Sequence, residues 1–495
     1  MLSERASESG VTLETFYNTC IAGRRADISE LLTRIPVARR LSDPLAIALR
    51  GMVAVTGGDV PGGIALIRRA SKHSSGRTRQ CIIDLLLPLL LNTNQFDELD
   101  ATLSSIEDPV EELAPAFMAV RGQLEARKGN DKLSAQLCRQ ALDDGRALDN
   151  PLVVGRVLQR TALAAFFRQD FDEAQERALE AARWFERYDA HRHAANAYSI
   201  LHTIANAWLC DPDVARYYAR RMTMAATLAG DISTEHYGLI SQLEIAAATG
   251  DSRRFGSIRG RLLANPLGAQ YYTGRMSYVA AEALVQGWGG HFDLVRPQLL
   301  SLRQSDTLSL GDRALCDAML GVTALASWQL DVARTMARRA ISATTYDHEA
   351  NPLFESNRRT TARIVAAAVC VGIGDVTRGL RALSRKVDPD GRFKSLITAE
   401  GMDEIATPSF MRGYARFYNQ ACLAAQAARP RHGLTPAEID VLRALPDGIT
   451  LDAIAKTMGK SRKTIERQVG SIYAKLEVGN RAQAVQRAHE LGIYS

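Results

Sequence analysis

The triplet Gly459-Lys460-Ser461, inside TMGKSRKTIERQVGSIYAKLEVGNR at residues 457–481, offers two different chemistries to a phosphate group. As the end of a nucleotide-binding loop it would wrap backbone amides and one lysine around a polyphosphate. That loop needs G-x-x-x-x-G-K-[ST] after a strand. The position five before Gly459 is Ile454, inside a helical pattern, and no other Gly-Lys-Ser/Thr occurs in the chain. The alternative is a polyanion. Seven basic residues (Lys456, Lys460, Arg462, Lys463, Arg467, Lys475, Arg481) stand against Glu466 and Glu477 between 456 and 481, most of the chain's net charge of +6. A concentrated basic stripe fits a string of phosphates better than a single nucleotide.

Other reactive residue types give no constellation. The cysteines (Cys20, Cys81, Cys138, Cys210, Cys316, Cys370, Cys422) are scattered and form no C-x-x-C pair. Buried thiols in a reducing compartment are expected, rather than a disulfide framework or a zinc site. His191 and His193 are close, but no Glu completes a metal motif around them. No Ser-His-Asp, paired-carboxylate or Cys-His arrangement is evident, so neither enzyme activity nor a cofactor or metal is expected. The first ten residues, MLSERASESG, carry both charge signs and do not read as a signal peptide. The most apolar run, CIIDLLLPLLL, is broken by Asp84 and Pro88 and is too short to span a bilayer. With 46% hydrophobic and 23% charged residues, a soluble cytoplasmic protein is expected.

The elements that must position the basic stripe are well marked. LTPAEIDVLRAL has Thr435 as a cap, Pro436 at the first helical position and Glu438 three after the cap, a capping box. Thr450 opens a short second helix that stops at Gly459; Ser461 opens a third, and Asn480 a fourth that ends at Gly492. On the third helix Ile465, Val469, Ile472 and Leu476 form one apolar stripe, leaving Arg462, Lys463, Glu466, Arg467 and Gly470 on other sides. A cationic outer face over an apolar inner one suits insertion into a major groove.

These residues resemble the LuxR-type (GerE-type) helix-turn-helix. The family pattern appears as Leu434-Thr435, Glu438, Val441-Leu442, Gly448, Ile454-Ala455, Ser461, Thr464-Ile465, Lys475-Leu476 and Asn480-Arg481, with Ala484-Val485, Ala488 and Leu491-Gly492 following. The resemblance implies a transcription regulator that binds double-stranded DNA, with Lys460, Ser461, Arg462, Lys463, Thr464, Glu466, Arg467, Gly470 and Lys475 as candidate contacts. It also implies a homodimer paired through the fourth helix, with Val485 and Ala488 on the contact face. Two positions depart from the family. Glu466 stands where many members place a DNA-contacting Lys, and Gly470 where a further basic residue often lies. Glu466 either accepts from a cytosine amine or pairs with Arg462 on the helix surface, the latter being favoured. Gly470 costs about 1 kcal/mol relative to Ala, which close approach to DNA or to a neighbouring helix would justify.

Upstream, one pattern recurs every 32–44 residues: an Ala-rich helix, a short turn, an acid and a second helix. The acids are Asp27, Asp59, Asp97, Asp131, Asp172, Asp213, Asp293, Asp331 and Asp375, with Arg253 at the same register in one unit. Asp suits the turn by capping the second helix. Each pair has too much apolar surface to stand alone, so neighbours must stack into a solenoid. The units resemble divergent tetratricopeptide repeats, although none carries the full Trp-Leu-Gly-Tyr signature.

The expected architecture is therefore all-α: a tetratricopeptide-like α-solenoid (1–385), a connecting helix and linker (386–433, with a helix from about Phe410 to Ala427 and the linker ARPRHG), and a four-helix LuxR-type domain (434–495). Large regulators of the maltose-activator kind join such repeats to an ATPase; this sequence resembles their sensor and DNA reader without a P-loop. The concave groove is then expected to hold a peptide, a protein or a small ligand. Tyr198, His202 and Asn206, four apart on one helix, are the candidate ligand stripe, with side chains packed between repeats as the competing reading. Tyr237 with Ser241, and Tyr271 with Arg275 and Tyr278, extend it. A helical-repeat scaffold anchored to DNA is the alternative function, and an ATP-driven activator a weaker one.

Overall fold

The computed structural model describes residues 11–491 and 493, apart from 149, 208, 270, 272–273, 307, 345–352, 384–390, 406, 408–410, 429–432 and 447. Most of the expected linker, and Gly492, lie outside the described residues. The described residues form 26 α-helices and one short 3-10 turn, and their only β feature is an isolated bridge between Ile397 and Met402. No described helix is long and apolar enough to cross a membrane.

From Leu13 to Ala382 the helices come in pairs and form two layers. The first helices of successive pairs pack on one another, while each second helix packs on first helices from outside. The division follows from sequence. Leu310–Ala326 is mostly apolar, and every residue from Ala314 to Ala326 is buried, including Asp317, which pairs with Arg303. Leu330–Ala343, its outer partner, buries only Ala333, Ala337 and Ala340, one narrow stripe of small residues that lets the two backbones approach. Acids cap only some of the turns, and not always the expected ones; the second helices that begin after Gln95, Asn130, His291 and Gln329 have no side-chain cap. Asp59 caps its helix by accepting from the Gly62 amide, whereas Asp170, Asp211 and Asp251 cap theirs, not Asp172, Asp213 or the Arg253 register. Asp172 and Asp213 lie in the first turn, where they gain from the dipole without capping.

The inner wall is covered by the chain itself. Leu13–Ala22 lies against the inner helices Gly76–Asn92 and His191–Ala207. Arg412–Ala428 crosses four further inner helices, Ile232–Thr249, Arg275–Trp288, Leu310–Ala326 and Leu353–Gly372. It is anchored by the fully buried Phe417 and Tyr418. Tyr418 donates its hydroxyl to the Ala368 carbonyl at 2.8 Å. Glycines make room for both rings: a Cβ at Gly287 would fall 2.2 Å from the Phe417 ring, and one at Gly372 would fall 2.5 Å from the Tyr418 hydroxyl.

Beneath Leu13–Ala22 lies a buried charge cluster that the sequence did not announce. Asp84, fully buried within one continuous helix, accepts from the Tyr17 hydroxyl at 2.6 Å, from Arg160 at 2.9 Å and from Arg156. Arg160 also donates to the Ala116 carbonyl at 2.8 Å. Burial alone would raise the Asp84 pKa, but the two guanidinium groups outweigh it and hold the carboxyl ionised. Farther along, the Tyr271 hydroxyl donates to the Gly58 carbonyl at 2.8 Å, so the start of the solenoid touches its middle across 213 positions.

Candidate DNA interface

The last four helices are Pro436–Ala444, Leu451–Thr457, Arg462–Leu476 and Arg481–Glu490. Their core is their own: Leu434, Val441, Leu442, Leu445, Ile454, Ile465, Val469, Ile472 and Leu476 are buried together, with Ala484, Ala488 and Ile493. The caps read from sequence are formed. Thr435 and Glu438 complete the capping box, and Thr450, Ser461 and Asn480 each accept from the third backbone amide after them. Gly448 and Gly459 supply left-handed turn positions on either side of the second helix, at φ of 65° and 62°, and Glu477 takes the same conformation where the third helix ends. The tight turn at Gly459 sets the second helix against the third in a helix-turn-helix.

The stripe Ile465, Val469, Ile472 and Leu476 faces inward, as its spacing requires. Outward stand Ser461, Arg462, Lys463, Thr464, Glu466, Arg467 and Gly470, all exposed. Arg462 is held on both sides, by Glu466 one turn on and by Asp452 of the preceding helix, each at 2.8 Å. Glu466 is therefore engaged on its own helix surface, the favoured of the two readings. Lys460 reaches Gln468 at 3.4 Å, and Ser461 and Thr464 share a hydroxyl bond of 2.7 Å at the helix start. Among the described residues Lys463 and Arg467 have no ion-pair partner, and both are exposed on this helix, as is Lys456 on the helix before. A Cβ at Gly470 would meet no atom within 4 Å, so no neighbouring helix accounts for this glycine.

Two cations of the stripe have other work. Lys475 binds both oxygens of Glu438, at 2.9 and 2.7 Å, and Ser471 donates to the same carboxylate at 2.6 Å. Glu438 is 6% exposed; burial alone would raise its pKa, but Lys475, Ser471 and Thr435 outweigh it and hold the group down at about 2. Lys475 thus ties the third helix to the first, so among the candidate DNA contacts it already has a carboxylate partner. Arg481 donates to the Leu445 and Ile449 carbonyls, through Nε at 2.7 Å and Nη1 at 2.8 Å, and pins the fourth helix to the loop between the first two. The sequence signalled only that the capping-box acid, with spare lone pairs, would need further donors once buried, not that Lys475 would supply them. Asp452 carried no such signal.

The fourth helix also departs from expectation. Ala488 is fully buried in the domain core and Val485 is half-buried against it, so neither forms an outward face. The exposed residues are Ala482, Gln483, Gln486, Arg487, His489 and Glu490.

The expected ligand stripe lies within the solenoid wall. Tyr198 is 6% exposed and shares its hydroxyl with Glu186 at 2.6 Å and Arg221 at 3.0 Å. His202 is 5% exposed and pairs with the Ala215 carbonyl at 3.0 Å, while Asn206 is half-buried. Ser241 is buried, and Tyr278 bonds Glu282 on its own helix at 2.8 Å. Packing within and between helix pairs uses these polar atoms. Six of the cysteines are buried, and Cys210 is half-buried.

The profile of the bacterial regulatory proteins of the luxR family matches residues 432–488. Three mycobacterial proteins are similar over a longer stretch. One of Mycobacterium bovis and two of Mycobacterium tuberculosis, all named as candidate HTH-type transcriptional regulators, are 26% identical over 73% of this chain and 47% of their own length. The chain thus spans about half the length of these relatives. With the helix-turn-helix geometry above, the match identifies the C-terminal domain as a LuxR-type (GerE-type) DNA-binding domain, preceded by paired helices consistent with a repeat region.

Proposed function

We propose that this chain is a sequence-specific transcription regulator that binds duplex DNA through Arg462–Leu476 as recognition helix. The observation that carries the reading is the pair of unengaged cations, Lys463 and Arg467, one turn apart on the exposed face of that helix. Arg467, deeper along the helix, is assigned to a base edge or a groove-facing phosphate. Lys463, with Lys460, Arg462, Ser461 and Thr464 near the helix start, is assigned to backbone phosphates, where the helix dipole adds to the attraction. Glu466 keeps Arg462 in place, and Gly470 lets the duplex approach closely. Replacing Arg467 by Ala is expected to cost about 1–3 kcal/mol of site affinity and to relax selectivity. Unchanged affinity and selectivity in a gel-shift titration removes Arg467 from this role.

Two copies are proposed to bind an inverted repeat, paired through the exposed side of Arg481–Glu490. The solenoid is proposed as the regulatory part, responding to a peptide, protein or small molecule. Because its inner wall is lined by Leu13–Ala22 and Arg412–Ala428, a signal acting there must compete with the chain's own helices. The second of these leads directly into the DNA-binding domain, which favours it as the connection between signal and reader.

A further inference from the structure

The outer helices change character halfway along the solenoid. Asp131–Ala147 and Phe171–Arg187 together carry six basic and eight acidic residues. The five outer helices that follow, Pro212–Ala229, Ser252–Ala264, Phe292–Arg303, Leu330–Ala343 and Val376–Ala382, carry fourteen arginines, no lysine that could add to them, and three aspartates. Neighbouring acids are already engaged: Asp213 with Arg216, Asp331 with Arg334, Asp251 with Arg254, Asp375 with Arg378, Glu282 with Arg259 and Asp317 with Arg303. Asp293 alone of the three is without an ion pair here. Arg221 pairs with Glu186 and Arg296 donates to Gln329 at 2.7 Å, which leaves Arg220, Arg253, Arg261, Arg338, Arg339 and Arg381, all exposed and without an ion pair among the described residues. Six like charges on one outer layer repel one another and are not needed for packing, since the buried stripes of these helices are built from Ala, Leu, Val and Phe.

We propose that this arginine-rich outer face, from Pro212 to Ala382, is a second DNA-contacting surface that holds the sugar–phosphate backbone of duplex beside the site read by the helix-turn-helix. The inference rests on the DNA-binding reading above. Charge complementarity is its first support: duplex DNA offers one negative charge per roughly 1.7 Å, which dispersed guanidinium groups can meet without sequence preference. Continuity is its second. Arg412–Ala428 packs on the inner helices of this same half, and Leu434, the first core residue of the reader, follows Ala428 by six positions. That distance is at most about 20 Å of chain. The reader is therefore tethered to the half of the solenoid whose outer layer is basic, with the tether itself leaving from the inner layer of that half.

The test compares full-length protein with a variant carrying Arg253→Gln, Arg261→Gln, Arg338→Gln and Arg339→Gln, exposed helical positions where Gln keeps the fold. Each is titrated on a duplex of about 20 bp and one of about 60 bp carrying the same site, selected by the full-length protein from random sequence. The expected result is at least about a tenfold loss of affinity on the long duplex, with the slope of log K against log salt falling by about 3. Little change is expected on the short duplex. Removing Arg139, Arg183 and Arg187 from the acid-balanced half should leave both slopes intact. If the wild type binds the site but the fourfold variant keeps its affinity and slope on the long duplex, this inference is overturned and the recognition-helix reading stands. If the wild type selects no DNA at all, both fail.

Discussion

At the scale of single residues, Lys475 and Arg467 show how two cations on one helix acquire different tasks. Lys475 neutralises a buried carboxylate that also closes the capping box, so its contribution is to folding. Replacing Lys475 by Met leaves Glu438 with hydroxyl and amide donors only. The cost should be about 2 kcal/mol, below the value for a fully buried pair because Lys475 is 34% exposed. The expected signature is a lower melting temperature with an unchanged salt slope for DNA binding, the reverse of Arg467→Ala. The same pair sets an acid limit. Because the folded-state pKa of Glu438 is depressed from 4.5 to about 2, its stabilisation is complete above about pH 4.5 and drains away as pH falls towards 2. Denaturant midpoints of the C-terminal domain between pH 6 and pH 2 should show this loss in the wild type and much less of it in Glu438→Gln. Sequence pattern could mark Glu438 as a cap but not Lys475 as its partner, because the pairing depends on how two helices cross. Asp84 is the stronger case. It looked like an interruption of an apolar run, and its partners Arg156 and Arg160 lie 72 and 76 positions away.

At the scale of elements, legibility followed local rules. The stripe Ile465, Val469, Ile472, Leu476 and the caps Thr435, Thr450, Ser461 and Asn480 are set by residues within one or two turns, and all are realised. The inward and outward sides of Arg481–Glu490 were less accessible, because Ala is compatible with either. Ala488→Glu should therefore destabilise the domain itself, placing a charge where the side chain is fully buried, rather than separate two folded copies. Circular dichroism melting of the variant separates the two outcomes. A surface change at Gln486, which is exposed, is the proper probe of pairing. Gly470 makes the opposite case. With open space around it, Gly470→Ala should raise helix stability by up to about 1 kcal/mol. If the glycine serves close approach of the duplex, operator affinity should fall while the melting temperature rises. A variant that is both more stable and equally tight would return Gly470 to an ordinary surface position.

At the scale of the whole molecule, the paired helices predicted an α-solenoid with an inner groove, and periodicity could not reveal that two of the chain's own helices line that groove. Arg412–Ala428 is the more consequential of the two because the reader follows it in sequence. Its seating depends on Gly287, whose missing side chain admits the Phe417 ring; the ring also meets Phe292 at 5.4 Å between centroids. Gly287→Val should force Phe417 out while leaving the sequence of the docked helix and every candidate DNA-binding residue unchanged. Tyr418→Phe, which removes one hydrogen bond to the Ala368 carbonyl, should loosen the helix by only about 1 kcal/mol. Hydrogen exchange across 412–428 reads the docking directly, with fast exchange expected in the first variant and near-native protection in the second. If the solenoid controls the reader through this helix, Gly287→Val should shift operator affinity of the full-length protein towards that of the isolated fragment 433–495, whose core is self-contained. The shift is bounded by the difference in binding between docked and undocked states. Should the helix undock while operator affinity stays at the wild-type value, the solenoid does not act on DNA binding by this route, and recruitment of another protein becomes its better-supported task.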